Sequence, residues 1–180
     1  VMSRSIVNLE SAREQILSTT GHDIDIFQGD VAKKDNLIGL SDFLNSTVGL
    51  PDIVINNCGG PAMGSFMEHS DSVWQQVFEQ NLMSVIRLMN QFSNTMIERK
   101  WGRFINISST VAIEPSSIMS LSATMRAGVA ALSKSASLTL ATTGVTINTI
   151  CPGGVSTDRL LDLINSQSKT EGISKESLLE

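Results

Sequence analysis

Ile53-Val54-Ile55-Asn56-Asn57-Cys58-Gly59-Gly60 is a short β-branched run that breaks into asparagine, cysteine and glycine. The same grammar returns twice. Arg103-Phe104-Ile105-Asn106-Ile107 leads into Ser108-Ser109-Thr110, and Val145 to Ile150 leads into Cys151-Pro152-Gly153-Gly154. Runs of this length, bounded by turn residues, read as buried strands. Three strands ending in small and polar residues predict one pocket, because open α/β sheets bind ligands beyond the carboxyl ends of their strands.

Helical spacing fills the intervals. Ile6 to Thr19 predicts a helix with Leu9, Ala12, Ile16 and Leu17 on one side and Gly21 as its stop. Asp23 to Gln28 reads as a strand and Lys33 to Thr47 as a second helix. Ser70 or Asp71 caps a long helix running to Lys100, with Trp74, Val77, Phe78, Leu82 and Val85 at helical spacing. Another helix spans about Ser120 to Ala141, and Val1 to Ser5 reads as the last turn of a strand. Alternating strands and helices predict an α/β fold, a doubly wound parallel sheet with helices on both faces. The expectation is one nucleotide-binding domain over residues 1–180, incomplete at both ends, with a substrate lid at about 156–176 and a mobile polar tail from Gln167.

Composition narrows the function. A chain of 180 residues buries a sizeable core, and its 41% hydrophobic and 17% charged residues are those of a globular domain. A net charge of −5 argues against nucleic acid. No apolar run is long enough to span a bilayer, and Val1 to Arg4 shows no signal peptide. Cys58 and Cys151 form either a lone disulfide or two reduced thiols, and the second reading suits a cytoplasmic protein. With His22 and His69 they share no metal-ligand spacing, so no metal is expected. The methionines at helical spacing, among them Met83, Met89, Met96 and Met125, read as core or subunit contact.

Ser122 and Arg126 stand one helical turn apart on one face. Ser109 ends a strand, where its hydroxyl can donate to a carbonyl oxygen. Asn81 is unfavourable inside a helix, which hints at a role there. Glu114 is a weaker candidate acid, and His69 reads as surface.

Taken together and in register from Ser3 to about Leu163, these motifs resemble the short-chain dehydrogenase/reductases. Gly102 to Ser109 and Ala127 to Ser135 resemble most the 3-oxoacyl-acyl carrier protein reductases. The resemblance implies that Asn56, Asn57 and Gly59 sit where an Asn-Asn-Ala-Gly signature receives the cofactor. It implies adenine contact for Asp30 and Val31, and a 2′-phosphate site at Arg4, hence NADP, with NAD as the alternative. Pro152, Gly153, Val155 and Thr157 match the segment that caps the nicotinamide. Ser109 and Asn81 match catalytic positions, and Ser109 lies 13 residues before Ser122, the family's interval between serine and tyrosine.

This chain has no tyrosine at all. Where the family has Tyr-x-x-x-Lys, it has Ser122 and Arg126. Serine is far less acidic than a phenol of pKa about 10, and arginine does not deprotonate. Two readings follow. One is an oxidoreductase interconverting a small-molecule ketone and alcohol, in which Ser109 polarises the carbonyl, Ser122 acts through water and Arg126 holds ribose and charge. The other is a catalytically silent relative that binds nucleotide or assists assembly. A homo-oligomer, dimer or tetramer, is expected from the resemblance, and the Trp74 to Met96 face is a candidate contact.

Overall fold

The structure is a computed structural model describing residues 1–155 together with 157, 160, 161, 164, 165, 168, 172 and 174. The predicted lid and the tail from Gln167 lie largely outside the described residues. The strands are β1 (Met2–Ser3), β2 (Phe27–Gln28), β3 (Ile53–Asn56), β4 (Gly102–Ile107) and β5 (Val145–Ile150). The helices are α1 (Ile6–Thr20), α2 (Lys34–Ser46), α3 (Asp71–Phe78), α4 (Ser84–Glu98) and α5 (Ser120–Leu140).

All strand pairs are parallel. β1 pairs with β2, and β4 lies between β3 and β5, with Val54 opposite Phe104 and Phe104 opposite Ile147. Ser5 caps α1 by accepting from the Asn8 N–H, and Gly21 ends it in the left-handed region at φ 74°. One apolar cluster joins α2, α4 and α5 to the sheet, with Phe92, Met96 and Phe104 each at most 2% exposed. Each such side chain contributes about 1.5–3 kcal/mol of burial. Right-handed crossovers place α1, which packs on β1 and β2, on the opposite face. This is the doubly wound arrangement expected from the alternation.

Several expectations are corrected. The strand read from Asp23 shrinks to Phe27–Gln28, because Asp23 pairs with Arg13 and accepts from the Ile24 N–H, and Asp25 gives its carbonyl to the Val1 amine. Leu17 is 45% exposed, so only Leu9 is fully buried on α1. Val54 is buried, but its neighbours Ile53 and Ile55 are 50% and 63% exposed. They point to the face of the sheet opposite α4. The long helix to Lys100 is interrupted by a π turn at Glu79–Met83, and Phe78 is partly exposed where it begins. Trp74, Val77 and Leu82 pack with Leu121 and Met125 inside the same chain, and Val85, Met89 and Met96 enter the main core. Most of that helical face is therefore committed to its own α5 and sheet.

Candidate active site

The ends of β3, β4 and β5 converge as their composition predicts. Ser108 N–H donates to the Ile150 carbonyl at 2.7 Å, and Thr110 N–H to Pro152 at 3.0 Å, which ties the two loops side by side. Next to them lies a cavity of about 340 Å³ lined by Ser109, Ser122, Arg126 and the run Pro152 to Val155, with Thr157 and Leu160 at its rim. Five sequence-predicted groups are thus brought together: Ser109, Ser122, Arg126, the Pro152–Gly153–Val155 backbone and Thr157.

Within it the polar geometry is specific. Ser122 is 5% exposed and accepts from Arg126 Nε at 3.2 Å, while Arg126 Nη1 donates to the Ile107 carbonyl at 3.1 Å. The i, i+4 spacing on α5 makes the first contact, and the end of β4 makes the second. Because the Ser122 oxygen accepts from a cation, its own proton is free to be directed elsewhere. Ser109 is half-buried in extended backbone, and its hydroxyl accepts weakly from Val111 N–H at 3.4 Å. Glu114 is exposed on the loop beyond.

Asn81 sits 8% exposed at the π turn, where the wider turn lets its amide donate to the Gly59 carbonyl at 3.1 Å. It therefore holds the loop that follows β3. Asn56 is 5% exposed and donates to Asn106 Oδ1 at 2.7 Å; Asn106 donates to Ser133 Oγ at 2.9 Å, and Ser133 to the Val129 carbonyl at 2.7 Å. This chain of buried hydrogen bonds crosses from β3 through β4 into α5. Below the pocket lies a cavity of about 20 Å³ lined by Asn56, Asn81, Ser108 and Arg126. Asn56 Oδ1, Asn81 Oδ1 and Ser108 Oγ are buried there without protein partners, a setting with room and partners for one water.

The remaining candidates are spread more widely. Asn57 and Gly59 are exposed on the same loop. Cys58 lies 3.7 Å from Ser84 Oγ, and burial pushes its thiol pKa up. Cys58 and Cys151 are unpaired thiols. Asp30 follows β2 with its carboxylate accepting from Ala32 N–H at 2.9 Å, and Val31 packs against the core. Arg4 is exposed just past β1, and its carbonyl accepts from Gln28 Nε2 at 3.0 Å. Arg4, Asp30 and Val31 share the carboxyl edge of the sheet but do not line the pocket of Ser109. His69 is half-buried rather than on the surface.

Sequence reasoning missed Asn106, Ser133 and Ser84, and it ranked Ser108 below Ser109. The signal for Asn106 was legible: an amide in the middle of Phe104-Ile105-Asn106-Ile107 has to find partners if the strand is buried.

Comparison with known proteins agrees with this geometry. Residues 1–167 match the sequence model of the short chain dehydrogenases. The NADPH-dependent reductase BacG of Bacillus subtilis is 29% identical over all of this chain and 70% of its own. Acetoacetyl-CoA reductase of Cupriavidus necator is 33% identical over 77% of this chain and 56% of its own. The crystal structure of a variant actinorhodin polyketide ketoreductase with NADPH superposes with a TM-score of 0.91 at 29% identity, covering 99% of this chain and 69% of that one. This chain therefore spans 56–70% of the length of these three proteins. With its parallel sheet, its strand-end pocket and the match over residues 1–167, the chain belongs to the short chain dehydrogenase family.

Proposed function

We propose that residues 1–180 form one domain of an NADP(H)-linked oxidoreductase that reduces the carbonyl of a small-molecule ketone, of the 3-oxoacyl kind. The observation that carries this reading is the placement of Ser109, Ser122 and the Arg126 cation around one pocket beside the bare backbone of Pro152–Gly154. The relatives named for NADPH and for acetoacetyl-CoA support the cofactor and the substrate class.

The residues present fit the nicotinamide half of such a cofactor. A Cβ built on Gly59 or Gly153 meets nothing within 4 Å, so a ring and ribose can approach the backbone there. Asn57, Gly59, Pro152, Gly153, Val155 and Thr157 would hold that half, with Asn56 fixing the loop from beneath. Arg4, Asp30 and Val31 would meet the adenosine end, where an arginine fork suits a 2′-phosphate. When bound, the cofactor supplies the hydride.

The chain's own groups do the rest. Ser109 donates to the substrate oxygen. Arg126 places a permanent positive charge near the oxygen as negative charge develops, which stabilises an alkoxide without releasing a proton. Ser122, too short to reach a carbonyl placed for a tyrosine, orients a water that delivers the proton from solvent. Asn81 acts as a positioning residue through the Gly59 carbonyl.

A second reading, a catalytically silent nucleotide-binding relative, is favoured by the commitment of Arg126 to Ser122 and the Ile107 carbonyl, which is a structural use of that cation. NADPH titration by fluorescence, followed by acetoacetyl-CoA reduction, separates the two. Binding with turnover supports the reductase, and binding without turnover supports the silent relative. A homo-oligomer in the cytoplasm completes the proposal. It is supported by a groove between α4 and α5, bordered by Ile86, Ser93, Leu132 and Ala136, and by the two unpaired thiols.

A further inference from the structure

Two strand edges face each other across one groove. Phe27 N–H donates to the Val1 carbonyl and Gly29 N–H to the Ser3 carbonyl, which commits Val1 and Ser3 to β2. Backbone groups alternate sides along a strand, so the N–H and C=O of Met2 point to the other edge of β1. In the same way, Arg103 N–H donates to the Asp52 carbonyl, which commits Asp52, Val54 and Asn56 to β4. The N–H and C=O of Ile53 and Ile55 therefore point away from β4, toward the open edge of β3. Both edges border a cavity of about 460 Å³ that runs from Met2 to Ile55.

The lining states what would fit. Leu40, Leu44, Leu88 and Phe92 close one face of the groove with apolar side chains. On the other face Ile53 and Ile55 remain half-exposed. Parallel strands are covered on both faces and read as apolar throughout. A segment seated here has ladder partners on both sides and apolar surface above and below. A second copy has no such segment to offer among the described residues, because each of its strand-forming runs is already in a ladder. The ketoreductase that superposes on 99% of this chain has 31% of its own length (100 − 69) outside the match, ample for a further strand.

We propose that this groove takes an extended, proline-free β-strand, apolar on both faces, from polypeptide outside residues 1–180. It runs parallel to β1 and β3 and bonds to Met2 on one side and to Ile53 and Ile55 on the other. The two sheets then become one, with the end of the new strand beside the Asn57–Gly59 loop.

Amide hydrogen exchange, read by NMR on the whole chain, tests this. The probe is a synthetic nine-residue peptide of alternating valine and alanine with a lysine at each end; its partner has the same side chains but carries N-methyl groups on every second residue. The unmodified peptide is expected to slow exchange at Ile53, Ile55 and Met2 by about tenfold or more, while the N-methylated one does not, since it keeps the apolar surface and loses the ladder donors. Equal protection by both peptides overturns the proposal, because apolar adhesion then explains binding. So does no protection by either peptide in a chain whose α4 and β4 amides remain protected. Protection that grows with chain concentration alone also overturns it and assigns the groove to a second copy. None of these readouts depends on cofactor or turnover, so a failure here is distinct from a failure of the reductase reading.

Discussion

Arg126 Nε donates to Ser122 Oγ at 3.2 Å, one turn along α5, and the same guanidinium reaches the Ile107 carbonyl at the end of β4. The cation thus ties the helix carrying the proposed proton-handling residue to the strand that ends in Ser109. Charge is retained at the site, while the capacity to give up a proton is not.

If only the proton donor limits turnover, Ser122→Tyr combined with Arg126→Lys should raise NADPH-dependent reduction of acetoacetyl-CoA by about 100-fold, the usual worth of a positioned general acid. Steady-state kinetics beside an NADPH titration checks this. Unchanged turnover with intact cofactor binding would count against the reductase reading.

Replacing Arg126 with Met keeps the stem but strips the Ser122 oxygen and the Ile107 carbonyl of their donor. The expected loss is about 1–3 kcal/mol of stability. Arg126→Lys should restore part of it, because one ammonium can serve one acceptor well but not both in the fork geometry. Urea denaturation of the three proteins measures the difference.

Asn106→Leu should be the more severe change. It leaves the Asn56 amide and the Ser133 hydroxyl buried beside an apolar side chain, each having lost a partner. A loss of about 2–5 kcal/mol is expected from two unpaired polar groups. The control is Asn57→Ala, on the exposed neighbour, which should stay within about 0.5 kcal/mol.

Cys58 gives the alkaline limb of stability a specific source. Burial raises its thiol pKa above the ordinary value of 9.0. The folded state therefore holds the proton more tightly than the unfolded chain. The stabilising contribution is fully present below pH 9.0 and is lost as pH rises through the folded pKa. Cys58→Ala should flatten the decline in melting temperature above pH 9.0, and iodoacetamide should modify Cys58 more slowly than an exposed thiol. Identical alkaline profiles for the two proteins would remove Cys58 as the cause.

Local patterning was enough for the order of elements and for the pocket. The strand runs, the Gly21 stop and the small residues after β3, β4 and β5 are short-range signals, and their consequences are local: a strand, a cap, a loop with room beside its backbone. The i, i+4 pairing of Ser122 and Arg126 was legible for the same reason. The interruption at Glu79–Met83 was not, since a π turn inserts a residue without altering the apolar periodicity on either side of it.

What only the tertiary structure decided involves residues far apart in the chain. Asn56 meets Asn106 across 50 positions, and Asn106 meets Ser133 across 27; no periodicity encodes such pairs. The exposure of Ile53 and Ile55 belongs to the same class. A β-branched run carries the propensity to be a strand, whereas burial depends on what packs against each face and along each edge. The sequence by itself determined an α/β chain of the short chain dehydrogenase kind, its strand-end pocket, and the replacement of a phenol and an amine by Ser122 and Arg126. The fold alone decided that Arg126 binds both Ser122 and β4, because a cation is spent on whichever acceptors the packing brings within reach.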